Sequence, residues 1–289
     1  MLFRSNVVDI TNFVLHETGQ PLHAFDADKI DGRKILIKKL DEGTPFKTLD
    51  EVDRKLSKDD LMICNVNQGM CIAGVFGGGD SGVTEKSESI FLESAYFDPK
   101  TIRKTAKRHE LNTDASFRFE RGADPNITVY ALKRAALLLK EIAGGSISSE
   151  IVDIYPKKIE DVKVKFNYTK ADRLIGQRIR RDVIKRIFTS LEIEVRDESD
   201  DHLEVLIPPY RVDVTREVDL IEEVLRIYGY KNIEISDTAH LTFATSSHNA
   251  ANVTEVVSEL LSSSGFSELM RTEERRVGHE FRSRWSPYQ

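Results

Sequence analysis

Between Leu61 and Phe76 the chain carries two apolar runs of strand length, 61–64 and 71–76, on either side of Asn65-Val66-Asn67-Gln68-Gly69. Short apolar runs bounded by turn residues read as buried strands. The fold must therefore include a sheet with an inside. Ile35, Leu36 and Ile37 between lysines add a short strand with charged ends, and 90–93 adds another. Residues 7–13 also read as strand-like, closed by His16-Glu17-Thr18-Gly19-Gln20-Pro21. Helical spacing takes over further on. Pro99 suits a first helical turn, and the basic end of 99–109 suits the helix dipole. In 127–143, Val129, Leu132, Ala136, Leu137 and Ile142 recur at helical intervals before Gly144-Gly145 stops the pattern. The fold class is α+β, with a mixed-sheet first domain.

Asp153-Ile154-Tyr155-Pro156-Lys157-Lys158 marks a boundary, with a proline in a polar stretch after a helix. Beyond it, Val183, Ile187 and Leu191 share one face of a helix over 180–191. Val195 and 203–207 suggest a hairpin around 197–201. A second helix over 215–228 is capped by Thr215 or Asp213 and stops at Gly229. Two helices and a hairpin in so short a unit resemble a winged helix. A last helix spans 253–261, with Asn252 as its N-cap. The expected division is 1–152, 153–237, a third module opening at 238–270, and 271–289. That last stretch has no apolar period. It is similar to a translated sequencing adapter and is set aside like a tag, so the natural protein is expected to continue past Met270.

No apolar run approaches the ~20 residues of a membrane helix, and the N-terminus lacks a signal-peptide pattern. Cys64 and Cys71 form no CxxC pair. They read as small apolar residues on neighbouring strands, which fits a reducing cytoplasm. The net charge of −6 does not advertise nucleic-acid binding, so any phosphate contact must come from a local patch.

One patch fits. Residues 107–122 crowd Lys107, Arg108, His109, Arg118 and Arg121 among small hydroxyl residues. Either this is a solvated loop, or it is a binding edge for a polyanion beside a small-residue pocket. The glycine-rich stretch 74–82 follows a strand but lacks P-loop and dinucleotide spacing. It reads as a tight hairpin or as backbone that a ligand approaches closely. His16, Glu17 and His23 do not make HExxH spacing, so zinc is not expected. Glu93, ending an apolar run, must be exposed or held by a donor. Asp219, Glu222 and Glu223 share a helix face, with Asp213 just upstream. Such hard oxygens suit Mg²⁺; the alternative is a solvated face paired with Arg216 and Arg226.

Five segments taken together resemble the beta subunit of bacterial phenylalanine–tRNA ligase. They are Val8-Asp9-Ile10-Thr11-Asn12-Phe13-Val14, Gly19-Gln20-Pro21-Leu22-His23-Ala24-Phe25-Asp26, Gly74-Val75-Phe76-Gly77-Gly78 with Leu92-Glu93, Arg108-His109 through Thr113-Asp114-Ala115-Ser116 to Glu120-Arg121-Gly122, and Pro208-Pro209-Tyr210-Arg211-Val212-Asp213 with Asp219-Leu220-Ile221-Glu222-Glu223. The likeness runs over 6–270 and covers only the central part of that subunit. It implies an editing domain that hydrolyses tyrosine wrongly attached to phenylalanine tRNA, followed by the winged-helix-like domain. On this resemblance His23, Glu93 and Thr113 carry the hydrolysis, with Glu93 accepting the phenol. Thr11, Asn12, Gly77 and Ala115 shape the substrate pocket. Asp213, Asp219, Glu222 and Glu223 bind Mg²⁺ together with an alpha subunit, in an alpha2beta2 assembly in the cytoplasm. ATP is used by the whole enzyme and is not bound by this segment. Apart from the resemblance, the concentration of Arg103, Lys104, Lys107, Arg108, Arg118 and Arg121 in an otherwise acidic chain, beside Thr113 and Ala115, leads to the expectation that they hold the acceptor end of the RNA.

No Ser-His-Asp or Cys-His set argues for an acyl-enzyme, so hydrolysis through positioned water is expected. The rival function is a non-catalytic tRNA-binding scaffold.

Overall fold

The computed structural model describes residues 5–234 and 250–267. They fall into two compact units divided after Glu234. In chain order the first unit begins with α1 (Asn6–Thr18), β1 (Leu22–Asp26), β2 (Leu36–Lys39), β3 (Pro45–Lys47), β4 (Asp53–Lys55) and β5 (Leu61–Cys64). It continues with β6 (Gly69–Ile72), β7 (Phe76–Gly77), β8 (Ile90–Ser94), α2 (Pro99–His109), α3 (Asp114–Arg121) and α4 (Thr128–Ile142). Then follow β9 (Val162–Asn167), α5 (Tyr168–Ile175), α6 (Arg181–Ser190), β10 (Glu194–Glu198), β11 (His202–Ile207) and α7 (Glu217–Tyr228). The second unit contributes α8 (Ala250–Ser263), so Asn252 lies inside that helix rather than at its cap. The adapter-like stretch from Arg271, with Trp285, lies outside the described residues.

The α+β class holds. Among the described residues every strand pairing is antiparallel, so the first domain carries antiparallel sheets there and not a mixed one. The sheets are β2-β5-β6-β7, β1-β8, β3-β4 and β10-β11-β9. Short turns join most of these strands, and parallel pairing would need long crossovers.

Residues 7–13 are helical, contrary to the strand reading. The run is rich in β-branched residues, but burial follows a helical face. Ile10, Thr11, Val14 and Leu15 are buried while Val8 and Phe13 are exposed. That face packs with Ala131 and Ala135 of α4 against Leu22 and Leu92. The β1-β8 pair is thus covered on one side by two helices. Its other side, through Phe25, faces the main core of Met62, Ile63, Ile72, Phe97, Ile102 and Phe119. Cys64 and Cys71 sit free and buried on the neighbouring strands β5 and β6.

A separate core is built by Phe166, Ala171, Ile184, Phe188, Leu203, Val205, Leu220 and Val224 from β9, β11 and helices α5 to α7. The expected hairpin and helices are present there. α7 starts at Glu217 and is capped by neither Thr215 nor Asp213; the Asp219 carboxylate instead accepts from the Thr215 and Arg216 amides at 3.1 and 2.8 Å. The two cores meet where α3 ends. Gly122 has φ +97°, and a Cβ there would stand 2.5 Å from Cγ1 of Val212, so only glycine closes this approach.

Among the described residues no helix is long and apolar enough to cross a membrane.

Candidate functional site

In the β1-β8 ladder His23 pairs directly with Glu93. Opposed residues of antiparallel strands place their side chains on the same face. Here that face is the one of Phe25, whose ring meets the His23 imidazole edge-on at 4.4 Å. The ladder is locked at its end by Gln20, whose side-chain amide donates to the carbonyls of Pro21 (3.0 Å) and Ala95 (2.7 Å).

Neither the His23 nor the Glu93 side chain has a hydrogen-bond partner. Nε2 of His23 is buried and unsatisfied. Unpaired buried polar atoms are uncommon and point to a site completed by something else. Gly77 adjoins the imidazole: a Cβ there would stand 3.1 Å from His23 Cε1 and 2.7 Å from Leu49 Cδ1. Behind Gly77 lies its ladder partner Cys71. Burial first, and then the charge of Glu93, push the Cys71 thiol well above its usual range. Thr113 reaches the same loop, donating from Oγ1 to the Val75 carbonyl at 2.9 Å. It also caps α3 by accepting from the Ser116 amide at 3.0 Å. Ala115, two residues on, packs on the main core.

His23, Gly77 and Glu93 therefore come together, with Thr113 tied to the strand that leads into Gly77. Thr11 and Asn12 are not joined to them. Thr11 donates to the Val8 carbonyl within α1, and Asn12 is exposed; α1 packs on the Leu22 and Leu92 side of the ladder, opposite His23. Leu49 was missed by sequence reasoning. It hangs over Gly77 and Gly82 from the β3-β4 turn, and no motif marks it.

Burial holds the His23 imidazole down to about 4 from an ordinary 6.5. Crowding by protein pushes the Glu93 carboxyl up to about 7 from 4.5, although part of its surface stays accessible. Their effects on stability have opposite signs. Between pH 6.5 and 4 the unfolded chain binds the His23 proton and the folded chain does not, so His23 removes stability as pH falls. Between 4.5 and 7 the folded chain keeps the Glu93 proton and the unfolded chain has lost it, so Glu93 removes stability as pH rises. Each amounts to at most about 3 kcal/mol, and in their shared window they largely cancel. Glu93→Gln should therefore lose stability as pH drops from 6.5 to 4. His23→Leu should lose it as pH rises from 4.5 to 7. Urea midpoints across that range check this; parallel pH profiles for both variants and the parent would contradict it.

The cations of 103–121 are not one free patch, and the segment is not a loop, because α3 forms within it. Arg103, Lys104, Lys107 and Arg118 are exposed and without an ion pair. Arg108 is committed to the buried carboxylate of Asp60. Arg121 lies over the Phe117 ring at 3.6 Å and bonds the Phe117 carbonyl and Glu120.

The acidic set is also dispersed. Glu223 is buried between Arg211 (2.5 Å) and Arg226 (2.6 Å). Arg226, with Arg211, holds its carboxyl below the usual range. Arg216 beside Asp219 holds that carboxyl down at about 2. Asp213 and Glu222 are exposed. Among the described residues no three His, Cys, Asp or Glu side chains are gathered to hold a metal. Of the residues expected to hold Mg²⁺ with an alpha subunit, arginines neutralise Asp219 and Glu223, while Asp213 and Glu222 remain exposed.

The chain carries two recognised modules in succession. The B3/4 domain family matches residues 1–144 and the tRNA synthetase B5 domain family matches 164–230. Over 277 residues, 95% of its length, the chain is 54% identical to the phenylalanine–tRNA ligase beta subunit of Bacteroides thetaiotaomicron. It is 49% identical over 269 residues to that of Porphyromonas gingivalis, covering 92% of this chain and 33% of that protein. It belongs to the phenylalanine–tRNA ligase beta-subunit family and spans about a third of the length of those curated relatives (34% for the first). A solved N-terminal fragment of the phenylalanyl-tRNA synthetase beta subunit from Pyrococcus horikoshii is a remote likeness, at TM-score 0.42 and 16% identity over 78% of this chain and 65% of that one.

Proposed function

We propose that the B3/4 module hydrolyses tyrosine from mischarged phenylalanine tRNA. The observation that carries this is the His23 and Glu93 pair, in register on one strand face, unpartnered, and opening on Gly77. Phenylalanine and tyrosine differ by one hydroxyl, which an apolar pocket rejects only weakly. A second site that hydrogen-bonds the hydroxyl reverses the preference. Glu93 accepts that bond, and Gly77 and Ala115 leave space for the ring. Neutral His23 offers Nε2 to the attacking water. Thr113 has given its proton to the Val75 carbonyl and keeps a lone pair for positioning. Water oxygen bonds to the ester carbon, the bond from that carbon to the ribose oxygen breaks, and the water proton ends on the ribose hydroxyl.

The test is deacylation by the full chain of tRNA charged with tyrosine. Tyrosyl ester should be cleared well ahead of phenylalanyl ester. Tight binding without clearance of either would favour the scaffold reading.

In the intact enzyme the segment works beside an alpha subunit that uses ATP to charge phenylalanine. The second module, read as a winged-helix-like fold, supports that assembly. The α2 cations hold the acceptor end of the RNA. Replacing Arg103, Lys104 and Lys107 by Gln removes three unpaired charges without touching Asp60. RNA affinity should fall, and the slope of log affinity against log salt should flatten by about 2. An unchanged slope would place the RNA elsewhere.

A further inference from the structure

Leu49 reaches the His23 pocket from the β3-β4 turn. Its amide donates to the Gly77 carbonyl (3.0 Å), and its methyl groups lie over Gly77 and Gly82. The side chain is half exposed, so core packing alone does not hold it there. Arg54 holds the turn. Its largely buried guanidinium donates from Nε to Thr48 Oγ1 (3.0 Å), from Nη2 to the Asp50 carboxylate (2.9 Å) and from Nη1 to the His109 carbonyl (2.6 Å). Thr48 is fully buried; its hydroxyl donates to Asp50, and its amide closes the turn on the Val52 carbonyl at 3.1 Å. His109 ends α2, and Thr113 follows four residues later with its own bond to the Val75 carbonyl. One side chain thus ties the turn that carries Leu49 to the segment that leads to Thr113.

We infer that Arg54 is a positioning residue of the hydrolytic pocket: it holds Leu49 over Gly77 as the apolar wall against which the substrate's ring lies, at a fixed spacing from the Thr113 side. This rests on the editing reading and adds what shapes its pocket. A ring lying on Gly77 covers the exposed part of Leu49, and water leaves both surfaces. Arginine suits the post because its rigid planar fork serves three acceptors in different directions, which an ammonium on a flexible stem does not.

The test measures binding by the full chain of an adenosine carrying a 3′ tyrosyl amide, which resists hydrolysis, and then kcat and KM for tyrosyl and phenylalanyl esters of phenylalanine tRNA. Leu49→Ala should weaken binding of the amide about tenfold, the order expected when methylenes are lost from an apolar contact. It should raise KM for both esters and keep the preference for tyrosine, because both rings use the same wall. Arg54→Lys should weaken the amide about threefold in the parent and hardly at all in Leu49→Ala, since side chains that act as a unit do not add. Asp50→Ala removes one anchor of Arg54 from the turn and should act in the same direction, which covers the case of Arg54→Lys folding poorly. Urea midpoints are read alongside. A merely structural Arg54 would lower the apparent kcat with KM unchanged, or add in full to Leu49→Ala; either result would overturn the inference. So would Leu49→Ala binding the amide as tightly as the parent, or no binding by the parent. If the parent binds the amide and these differences hold but it clears neither ester, the editing reading falls while the account of the wall stands.

Discussion

Asp60→Ala is expected to cost about 3–5 kcal/mol of folding stability, as when one partner is removed from a buried ion pair. Asp60 is fully buried. Its carboxylate accepts from the Ser57 amide (2.8 Å), Thr105 Oγ1 (2.9 Å), His109 Nε2 (2.7 Å) and Arg108. Together these bonds pin the last turn of α2 against the strand that begins at Leu61. Arg54 adds to the anchor by donating to the His109 carbonyl at 2.6 Å. Burial raises the Asp60 carboxyl, but the bonds from Ser57, His109 and Thr105 outweigh it and leave it below its ordinary range. That stabilisation is present above the ordinary carboxylate pKa near 4 and is lost as pH falls through the lower folded value. Alanine leaves Arg108 and His109 facing an empty acceptor position at every pH. Chemical denaturation at neutral pH measures the effect. A loss below about 1 kcal/mol would mean that solvent replaces the carboxylate, and that Arg108 is free to serve the RNA after all.

This network explains a misreading that the sequence invites. The Lys107-Arg108-His109 run looks like three cations facing outward, because its counterion stands 48 residues away in Arg108's case and nothing local marks the pairing. Glu223 shows the same blindness. Its carboxylate spacing suggests a metal, and its arginines come from one turn of α7 and from the preceding loop.

Patterns that depend on neighbours in sequence were legible. α2 spans the residues its proline and basic end announced, and α4 nearly so. The β5-β6 hairpin and the β10-β11 hairpin were visible as apolar runs around polar turns. Patterns that depend on packing were not. α1 looked like a strand because Val7, Val8 and Ile10 are β-branched, and only contact with α4 and the ladder selects its helical face. β9 went unread: its lysines alternate with Val162, Val164 and Phe166 on an exposed side. α5 begins directly at its end, hiding both elements. For the site, the resemblance pointed to His23, Gly77 and Glu93. Their meeting depends on the β1-β8 register, which no local spacing encodes.

Glu93→Ala is expected to abolish the preference for tyrosine. On this reading the carboxyl is the partner of the phenol, and it lies beside the buried, unpaired His23 Nε2. A hydrogen bond to a charged or strongly polar group contributes about 1.5–3 kcal/mol, and leaving the phenol unpaired forfeits it, or roughly 10- to 150-fold in relative kcat/KM. The phenylalanyl ester never makes that bond, so its slow hydrolysis should change little. Glu93→Gln keeps an acceptor of the same length and should retain part of the preference. Because Glu93 carries its proton up to about pH 7, the parent's preference should also shift across neutrality, while that of Glu93→Gln should not. The most direct measurement is the ratio of kcat/KM for hydrolysis of tyrosyl and phenylalanyl esters of phenylalanine tRNA, for the parent chain and Glu93→Ala side by side. The account predicts a ratio that favours tyrosine strongly in the parent and falls at least tenfold in the variant; an equal ratio in the two proteins would contradict it.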